Sequence, residues 1–441
     1  MLTTRTEYRS GLLRESYVRL LHSSGLPIYL FPKKLTTAYA LFAARCGSMD
    51  TAFSLNGVAG SVPDGTAHFL EHKLFENPDG SDSFARFSEL GADANAYTSY
   101  NRTAYLFSCT DRFDEALEEL LTFVTHPHFT SASVRKERKI IAEEIRMYDD
   151  NPWERALLNL LSCLYHRHPV RKNICGTVSS IQKITPKTLS DYYRAFYRLS
   201  DMALVVVGDV SEEQLMRVAN RVLPDAASND APLRRSLPTE PDTVRKSYLE
   251  ARMPVSKPLF HIGIKDPVLL SDPDARFRRD LSMSLLNEIL FSQSEEFYNT
   301  LFEEGLLTPS FSYGYSCADG CAFNCICGTS DNPQAVSERL WSYLSGIRRN
   351  GLSAESFERC RRTLYADELR AYDSTEEIAN RLLSFVFDGV ELFSPFEIYQ
   401  SITKEELETL FCNLFCKDRS ALSVVLPLEA TEQKEVSSDA E

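Results

Sequence analysis

The chain contains one sequence pattern twice, and this internal repeat is the feature that most restricts its fold. Residues 184–207 (ITPKTLSDYYRAFYRLSDMALVVV) align without a gap with residues 402–425 (ITKEELETLFCNLFCKDRSALSVV), at an offset of 218 residues. An isoleucine, a threonine, a leucine, an Ala-Leu pair and a final Val-Val recur in place. Each copy predicts a helix that begins after a threonine N-cap, then a short loop and an apolar strand.

The offset is close to half of the 441 residues, so the repeat predicts two homologous halves. We expect a first domain at 1–222 and a second domain at 244–441. The segment between them, 223–243, is rich in Pro, Ser, Asp and Ala and shows no periodicity, which predicts a linker.

Strands and helices are interspersed in both halves. The patterns predict helices at 65–76, 131–150 and 277–304, and β-hairpins at 93–109 and 310–328. This arrangement indicates the α+β class, with two homologous α/β sandwich domains in which a largely antiparallel sheet packs on helices.

The first predicted helix contains the five residues His68-Phe69-Leu70-Glu71-His72. On a helix, positions 68 and 72 lie on the same face, with Cβ atoms roughly 5–6 Å apart. Two imidazoles at this spacing can bind one zinc ion, which takes three protein ligands and a water at catalytic sites. A carboxylate beside them, that of Glu71, could accept a proton from this water. The H-x-x-E-H order is the reverse of H-E-x-x-H, and both orders serve metal-assisted hydrolysis.

A third zinc ligand has to come from another element, and the helix predicted over 133–148 is the best candidate. Glu137 and Glu144 are two turns apart on nearly one face, so one could bind the metal while the other hydrogen-bonds a ligand histidine. Glu143 competes with Glu144, but it points roughly 100° away. The alternative is that these are solvated charges on a helix rich in Arg, Lys and Glu. We expect the apolar side of this helix to consist of Ile140, Ile141 and Ile145.

Three blocks of the sequence together resemble the pitrilysin/insulinase family of zinc peptidases, which includes the mitochondrial processing peptidases. The blocks are GTAHFLEHKLFE (65–76), ANAYTSYNRTAY (94–105) and KERKIIAEEIRMYDDNP (136–152). The segments ICGT (174–177) and GDV (208–210) also match family segments. The resemblance covers the whole chain in architecture and is dense over about 65–152.

The resemblance implies a role for each residue of the motif. It makes His68 and His72 zinc ligands, Glu71 the general base, Glu144 the third ligand and Glu137 the partner that hydrogen-bonds a ligand histidine. It also implies that 1–222 is the catalytic zinc-binding domain, with one zinc ion per chain. The second half, 244–441, contains no such motif and is expected to be an inactive peptidase-like domain.

The resemblance also indicates how substrate is bound. Asn95 and Ala96 correspond to the edge strand on which family members bind substrate by β-augmentation. Active members carry an arginine followed by a tyrosine in the second half, but the stretch 301–315 has no arginine. Glu304 stands where a basic residue is expected, and Tyr315 remains as a possible donor to the substrate carbonyl.

Composition excludes several other classes of function. A net charge of −14 argues against nucleic-acid binding. No apolar run approaches the ~20 residues that cross a membrane, and the charged N-terminus does not resemble a secretory signal. The odd number of cysteines, eleven, predicts reduced thiols in the cytoplasm. The spacing of Cys321, Cys325 and Cys327 fits small apolar strand residues better than metal ligands.

We therefore expect a zinc-dependent endopeptidase that binds peptides or unfolded polypeptides as an added β-strand. A family member of this size resembles half of a clamshell, which implies a dimeric chamber formed with a second copy or with an inactive paralogue. The alternative is a non-catalytic subunit of a peptidase-like assembly.

Overall fold

The computed structural model describes residues 1–226 and 232–429, so residues 227–231 of the predicted linker and residues 430–441 of the predicted second domain lie outside the described residues. The chain forms two compact units. Unit 1 consists of Met1–Ile145, Asn173–Ser236 and Leu369–Phe393. Unit 2 consists of Arg146–Lys172, Leu237–Glu368 and the segment that begins at Ser394.

Unit 1 is built on a seven-stranded sheet with the order β1-β2-β3-β9-β4-β8-β7. Strands β3 and β9 are parallel, and every other pair in this sheet is antiparallel. Strands β10, β5 and β6 form a separate small sheet, so part of the predicted linker is a strand. The strands are β1 (Leu2–Ser10), β2 (Glu15–His22), β3 (Pro27–Pro32), β4 (Ala38–Ala44), β5 (Ala52–Leu55), β6 (Val58–Ser61), β7 (Asp93–Thr98), β8 (Thr103–Cys109), β9 (Met202–Gly208) and β10 (Leu233–Arg235).

Unit 2 contains a five-stranded sheet that repeats part of the first. Its strands are β11 (Tyr248–Met253), β12 (Leu259–Lys265), β13 (Ser312–Ala318), β14 (Cys321–Thr329) and β15 (Ser420–Pro427). Their order, β11-β15-β12-β14-β13, matches β3-β9-β4-β8-β7 strand for strand. The one parallel pair, β11 with β15, corresponds to β3 with β9. The predicted duplication and the largely antiparallel α+β class are confirmed.

Helices cover these sheets in both units. In the described residues they are α1 (Thr66–Leu74), α2 (Ser83–Glu89), α3 (Phe113–Thr125), α4 (Ser131–Asp149), α5 (Pro152–Leu164), α6 (Val178–Ile181), α7 (Pro186–Phe196), α8 (Glu212–Val222), α9 (Pro273–Phe291), α10 (Glu296–Glu303), α11 (Pro333–Asn350), α12 (Ala354–Arg370), α13 (Thr375–Asp388), α14 (Ser394–Ser401) and α15 (Lys404–Leu414). No helix of the described chain is long and apolar enough to span a bilayer.

The two repeats exchange one helix each. Helix α5 follows the first-half helices along the chain but packs on β11, β12 and β15 within unit 2. Helix α13 lies in the second half of the sequence but packs on β4 and β9 within unit 1. The expected division into 1–222, 223–243 and 244–441 follows the repeats along the chain, whereas the compact units do not. As a division of function, it stays a prediction.

The two copies of the repeated segment begin their helices in the same way. The side chain of Thr185 caps α7 by accepting the backbone N–H of Thr188, and Thr403 caps α15 by accepting that of Glu406. A threonine at this position satisfies one of the N–H groups that a helix start leaves without a partner. The two predicted threonine N-caps are therefore confirmed.

The predicted apolar side of α4 was wrong at one residue. Ile141 and Ile145 are buried, but the Ile140 side chain is 48% exposed. At about 100° per residue, Ile141 and Ile145 point roughly 40° apart, whereas Ile140 points about 140° from Ile145 and lies outside the buried stripe.

Candidate metal centre

Helix α1 lies almost entirely in the core of unit 1, although it carries several polar side chains. His68, Glu71 and Lys73 are all buried. Polar and charged side chains are rarely buried unless they are paired. Three buried polar side chains in one short helix therefore need partners, and the surrounding elements supply them.

The start of α1 is fixed by two glycines that lie against each other. Gly65, the N-cap, has φ +88°, and a Cβ there would lie 2.3 Å from the carbonyl oxygen of Cys175. Gly176 has φ +76°, and a Cβ there would lie 2.5 Å from the carbonyl oxygen of Asp64. Only glycine fits both positions. This close approach explains why the ICGT segment accompanies the motif, and it brings Cys175 Sγ to 3.7 Å from His68 Nε2.

The two histidines of the motif converge with one glutamate from α4. Their rings lie 4.6 Å apart between centroids. Glu144 lies opposite both, with Oε1 3.5 Å from Nε2 of His68 and Oε2 3.5 Å from Nε2 of His72. One ligand atom from each of the three residues lies within 4.8 Å of the other two. The sequence prediction named these three residues as a group, and the structure brings them together.

The distances fit a small metal ion. Ligand atoms about 2.0–2.1 Å from a tetrahedral zinc ion are separated by roughly 3.3–3.4 Å, close to the two distances that Glu144 makes. Two polar atoms of the group, Nδ1 of His68 and Oε2 of Glu144, are buried without a hydrogen-bond partner in the described structure. Two imidazoles and a carboxylate form a donor set that zinc accepts at catalytic sites. The residues present fit the ion.

Glu137 contacts one of the candidate ligands on the side that faces away from Glu144. Its Oε1 is 3.1 Å from Nδ1 of His72, and its Oε2 is 3.9 Å from Nζ of the buried Lys73. Lys73 also pairs with Glu76. Burial raises the pKa of Glu137, but the hydrogen bond with His72 and the charge of Lys73 outweigh it and leave the pKa below its usual range. Sequence reasoning missed the role of Lys73, although it follows directly after the motif.

Glu71 lies beside the group and is held by the neighbouring hairpin. The hydroxyl of Thr98, at the end of β7, donates to Oε2 of Glu71 at 2.6 Å. Burial raises the pKa of Glu71, against the opposing effects of His68 and of the Thr98 hydroxyl. Thr98 was also missed in the sequence, because the strand pattern does not show which residue meets α1.

Strand β7 forms the edge of the sheet, because it pairs with β8 and with no other strand in the described part of the chain. Asn95 and Ala96 both lie on it, as predicted from the resemblance. The backbone N–H of Ala96 donates to Oδ1 of Asn95 at 2.8 Å. This N–H therefore points away from β8, toward the open edge of the sheet. There the side chain of Asn95 accepts its hydrogen bond.

The residues expected to contact substrate from the second half belong to unit 2. The Tyr315 hydroxyl donates to Oδ2 of Asp266 at 2.8 Å, and Arg279 contacts the same carboxylate at 2.8 and 3.0 Å. Glu304, found where an arginine was expected, pairs with Arg339 at 2.6 and 2.8 Å. A substrate contact by Tyr315 stays a prediction.

Two family models match the chain over different parts. The model described as Insulinase (Peptidase family M16) matches residues 58–178, which include the whole candidate centre. The model described as Peptidase M16 inactive domain matches residues 183–364, which contain no H-x-x-E-H motif.

Individual relatives match nearly the whole chain. The uncharacterized zinc protease YmfH of Bacillus subtilis (strain 168) is 37% identical over 420 residues, which cover 94% of this chain and 97% of YmfH. The crystal structure of an M16-like peptidase from Alicyclobacillus acidocaldarius has 33% identity and a TM-score of 0.89, covering 96% of this chain and 98% of that one. The periplasmic protease PqqL of Escherichia coli has 19% identity and a TM-score of 0.74, covering 95% of this chain and 48% of PqqL. At that identity, the likeness to PqqL shows the fold alone.

Proposed function

Since this chain belongs to the insulinase (peptidase M16) family, we propose that it is a zinc-dependent endopeptidase that hydrolyses bonds within peptides or unfolded polypeptides. One observation carries the proposal: a ring nitrogen of His68, a ring nitrogen of His72 and a carboxylate oxygen of Glu144 lie within 4.8 Å of one another. The buried carboxylate of Glu71 is close enough to interact electrostatically with all three.

Nε2 of His68, Nε2 of His72 and the Glu144 carboxylate would hold the zinc ion. When bound, zinc acts as a Lewis acid and lowers the pKa of a water molecule toward about 7. The contact between Glu137 and Nδ1 of His72 supports this assignment. A proton on Nδ1 that donates to Glu137 leaves the lone pair on Nε2, which is the atom that faces Glu144.

Glu71 would take a proton from the attacking water and deliver it to the leaving amine. A general base has to be positioned before it can act. The hydrogen bond from Thr98 to Oε2 holds the carboxylate in place and leaves Oε1 for this exchange. Because Thr98 is at the end of β7, the strand proposed to bind substrate and the proposed base are connected through one side chain.

We propose that the substrate backbone adds to the open edge of β7 as a further strand. The outward N–H of Ala96, now bonded to Asn95, would then donate to a substrate carbonyl. Recognition of this kind uses main-chain hydrogen bonds, which are common to all sequences. Loose specificity for side chains follows from it.

We also propose that the chain works with a second chain of the same architecture, either a copy of itself or an inactive paralogue. The likeness to PqqL supports this: this chain corresponds to about half of that protein, and it covers 93% of the separately solved first half. Residues 244–441 would supply neither a zinc ligand nor the general base, and Tyr315 would contribute only a contact to substrate. We expect the protein to act in the cytoplasm.

The test measures zinc content and cleavage of a peptide mixture on one purified sample. Removal of zinc by a chelator should abolish cleavage, and addition of zinc should restore it. A chain that binds zinc at His68, His72 and Glu144, yet cleaves nothing alone or with a co-expressed partner, would contradict the proposal. That result would favour a non-catalytic subunit.

A further inference from the structure

A second group of metal-ligating side chains lies in unit 2, on the sheet without the H-x-x-E-H motif. His261 on β12 is directly opposite Cys327 on β14, and Cys325 lies two residues earlier on the same strand. Directly paired residues, and residues two apart on one strand, project from the same face of a sheet. The imidazole and both thiols therefore share one face.

The three side chains are close enough to bind one ion. One ligand atom from each of His261, Cys325 and Cys327 lies within 4.8 Å of the other two. Zinc bonds of about 2.3 Å to sulfur and about 2.0–2.1 Å to nitrogen separate two tetrahedral sulfurs, or a sulfur and a nitrogen, by roughly 3.6–3.8 Å. Binding would therefore require the ligand atoms to approach each other by about 1.2 Å or less, which side-chain rotation can supply.

One ring nitrogen of the histidine in this group lacks a hydrogen-bond partner. Nδ1 of the buried His261 has no hydrogen-bond partner in the described residues. Ser423 on β15 is directly opposite His261 on its other side, and its buried hydroxyl has no partner either within the described chain. A buried polar atom without a hydrogen-bond partner is unfavourable. A bound ion would give Nδ1 of His261 a partner.

Helix α5 covers one side of the group, and strand β13 leaves the other side open. Cys325 has a glycine on each side, Gly263 on β12 and Gly314 on β13. A Cβ at Gly263 would lie 2.8 Å from the side chains of two leucines of α5, whereas a Cβ at Gly314 would meet nothing within 4 Å. The Trp153 ring, also on α5, packs edge-on against His261, with centroids 5.8 Å apart. The group is therefore closed on the β12 side and open on the β13 side.

We propose that His261, Cys325 and Cys327 bind a thiophilic divalent metal ion, and we expect this ion to be Zn²⁺. Two thiolates and one imidazole are a donor set that suits this class of ion. With three protein ligands, a fourth position remains for water or for a ligand from outside the chain. The site shares no residue with the candidate centre on α1. This proposal therefore does not depend on the proposed peptidase function.

Cobalt titration of the zinc-free, reduced, full-length protein tests this site, because Co²⁺ gives a thiolate-to-metal charge-transfer band in the near ultraviolet only with sulfur ligands. We expect one such site per chain, in the unmodified protein and in the variant His68→Asn/His72→Asn. The variant Cys325→Ser/Cys327→Ser should lose the band. The matched control is Cys317→Ser, on the opposite face of the same hairpin, which should keep it. No band in the unmodified protein, or a band that survives the double cysteine substitution, would overturn the proposal.

A second measurement needs no variant and so does not depend on how the substituted chains fold. The zinc-free protein is alkylated with N-ethylmaleimide, with and without stoichiometric Zn²⁺, and the modified peptides are identified by mass spectrometry. Zinc should slow alkylation of Cys325 and Cys327 at least tenfold and leave the exposed Cys412 unaffected. Equal alkylation rates at Cys325 and Cys327 with and without zinc would contradict the site.

Discussion

Oε1 of Glu137 lies 3.1 Å from Nδ1 of His72, the ring nitrogen that faces away from Glu144. This contact orients the imidazole from behind. Lys73, buried next to His72, contacts the other oxygen of the same carboxylate. Helix α1 therefore carries two neighbouring residues with linked roles. His72 is a candidate ligand, and Lys73 stabilises Glu137, which orients that ligand.

The buried cation leads to the first prediction. Lys73→Met should destabilise the zinc-free protein by about 3 kcal/mol, at the lower end of the range for broken buried pairs because Glu76 is partly exposed. It should also weaken zinc binding, because Glu137 would lose the charge that holds it. Urea unfolding and zinc titration measure the two effects. Lys187→Met is the control, since its side chain is 83% exposed and a surface pair contributes about 0–1 kcal/mol.

The second prediction concerns which glutamate of α4 binds the metal. Glu144→Gln should weaken zinc binding far more than Glu143→Gln, because only Glu144 lies between the two histidines. The Glu143 side chain is exposed on another face of the helix. The zinc affinities of the two variants are best measured by zinc titration in a chain that also carries Cys325→Ser and Cys327→Ser, so that the second candidate site does not contribute. Greater loss in the Glu143 variant would mean that the assignment is one residue out of register.

The third prediction tests the open edge of β7. Ala96→Pro removes an N–H that points away from β8, so the sheet should stay intact while substrate loses one hydrogen bond. The KM for peptides should rise roughly 2- to 10-fold, since one hydrogen bond contributes about 0.5–1.5 kcal/mol. Ala96→Gly keeps the N–H and should leave the KM unchanged. If both variants raise the KM equally, the N–H is not the group that binds substrate.

The fourth prediction concerns assembly. The arginine expected in 301–315 is absent, and Glu304 in that stretch is bonded to Arg339. Loss of one donor to the substrate carbonyl can cost about 10²–10³ in turnover. We therefore expect a dimer, and we favour an inactive paralogue as the partner over a second copy of this chain. Adding the partner should raise the turnover by about 10²–10³. Light scattering and assays with a co-expressed partner measure both. A stable monomer that cleaves peptides at full rate contradicts this prediction.

The fold could be predicted from the sequence where its signals are local. The repeat at 184–207 and 402–425 predicted two related sheets, and threonine caps and hairpin patterns located the main elements. The exchange of α5 and α13 could not be predicted. Both helices have an apolar face, but an apolar face does not specify which of two similar sheets it covers.

The candidate sites were also predictable only in part. His68, His72 and Glu144 were predictable because helix spacing and the resemblance both indicate them. Lys73 was not, because its neighbours along the chain do not show that it is buried. The group of His261, Cys325 and Cys327 depends on the register between β12 and β14. A strand pattern contains no register, so the two cysteines looked like small apolar residues.

The central claim is that Glu71 transfers the proton at a zinc centre held by other residues. The most direct measurement is zinc content and peptide cleavage of the Glu71→Gln variant beside the unmodified chain. The glutamine keeps the shape of the side chain and a partner for Thr98, but it cannot accept the proton. We predict unchanged zinc content and loss of cleavage. Loss of zinc with the fold intact, or cleavage at the original rate, would contradict the account.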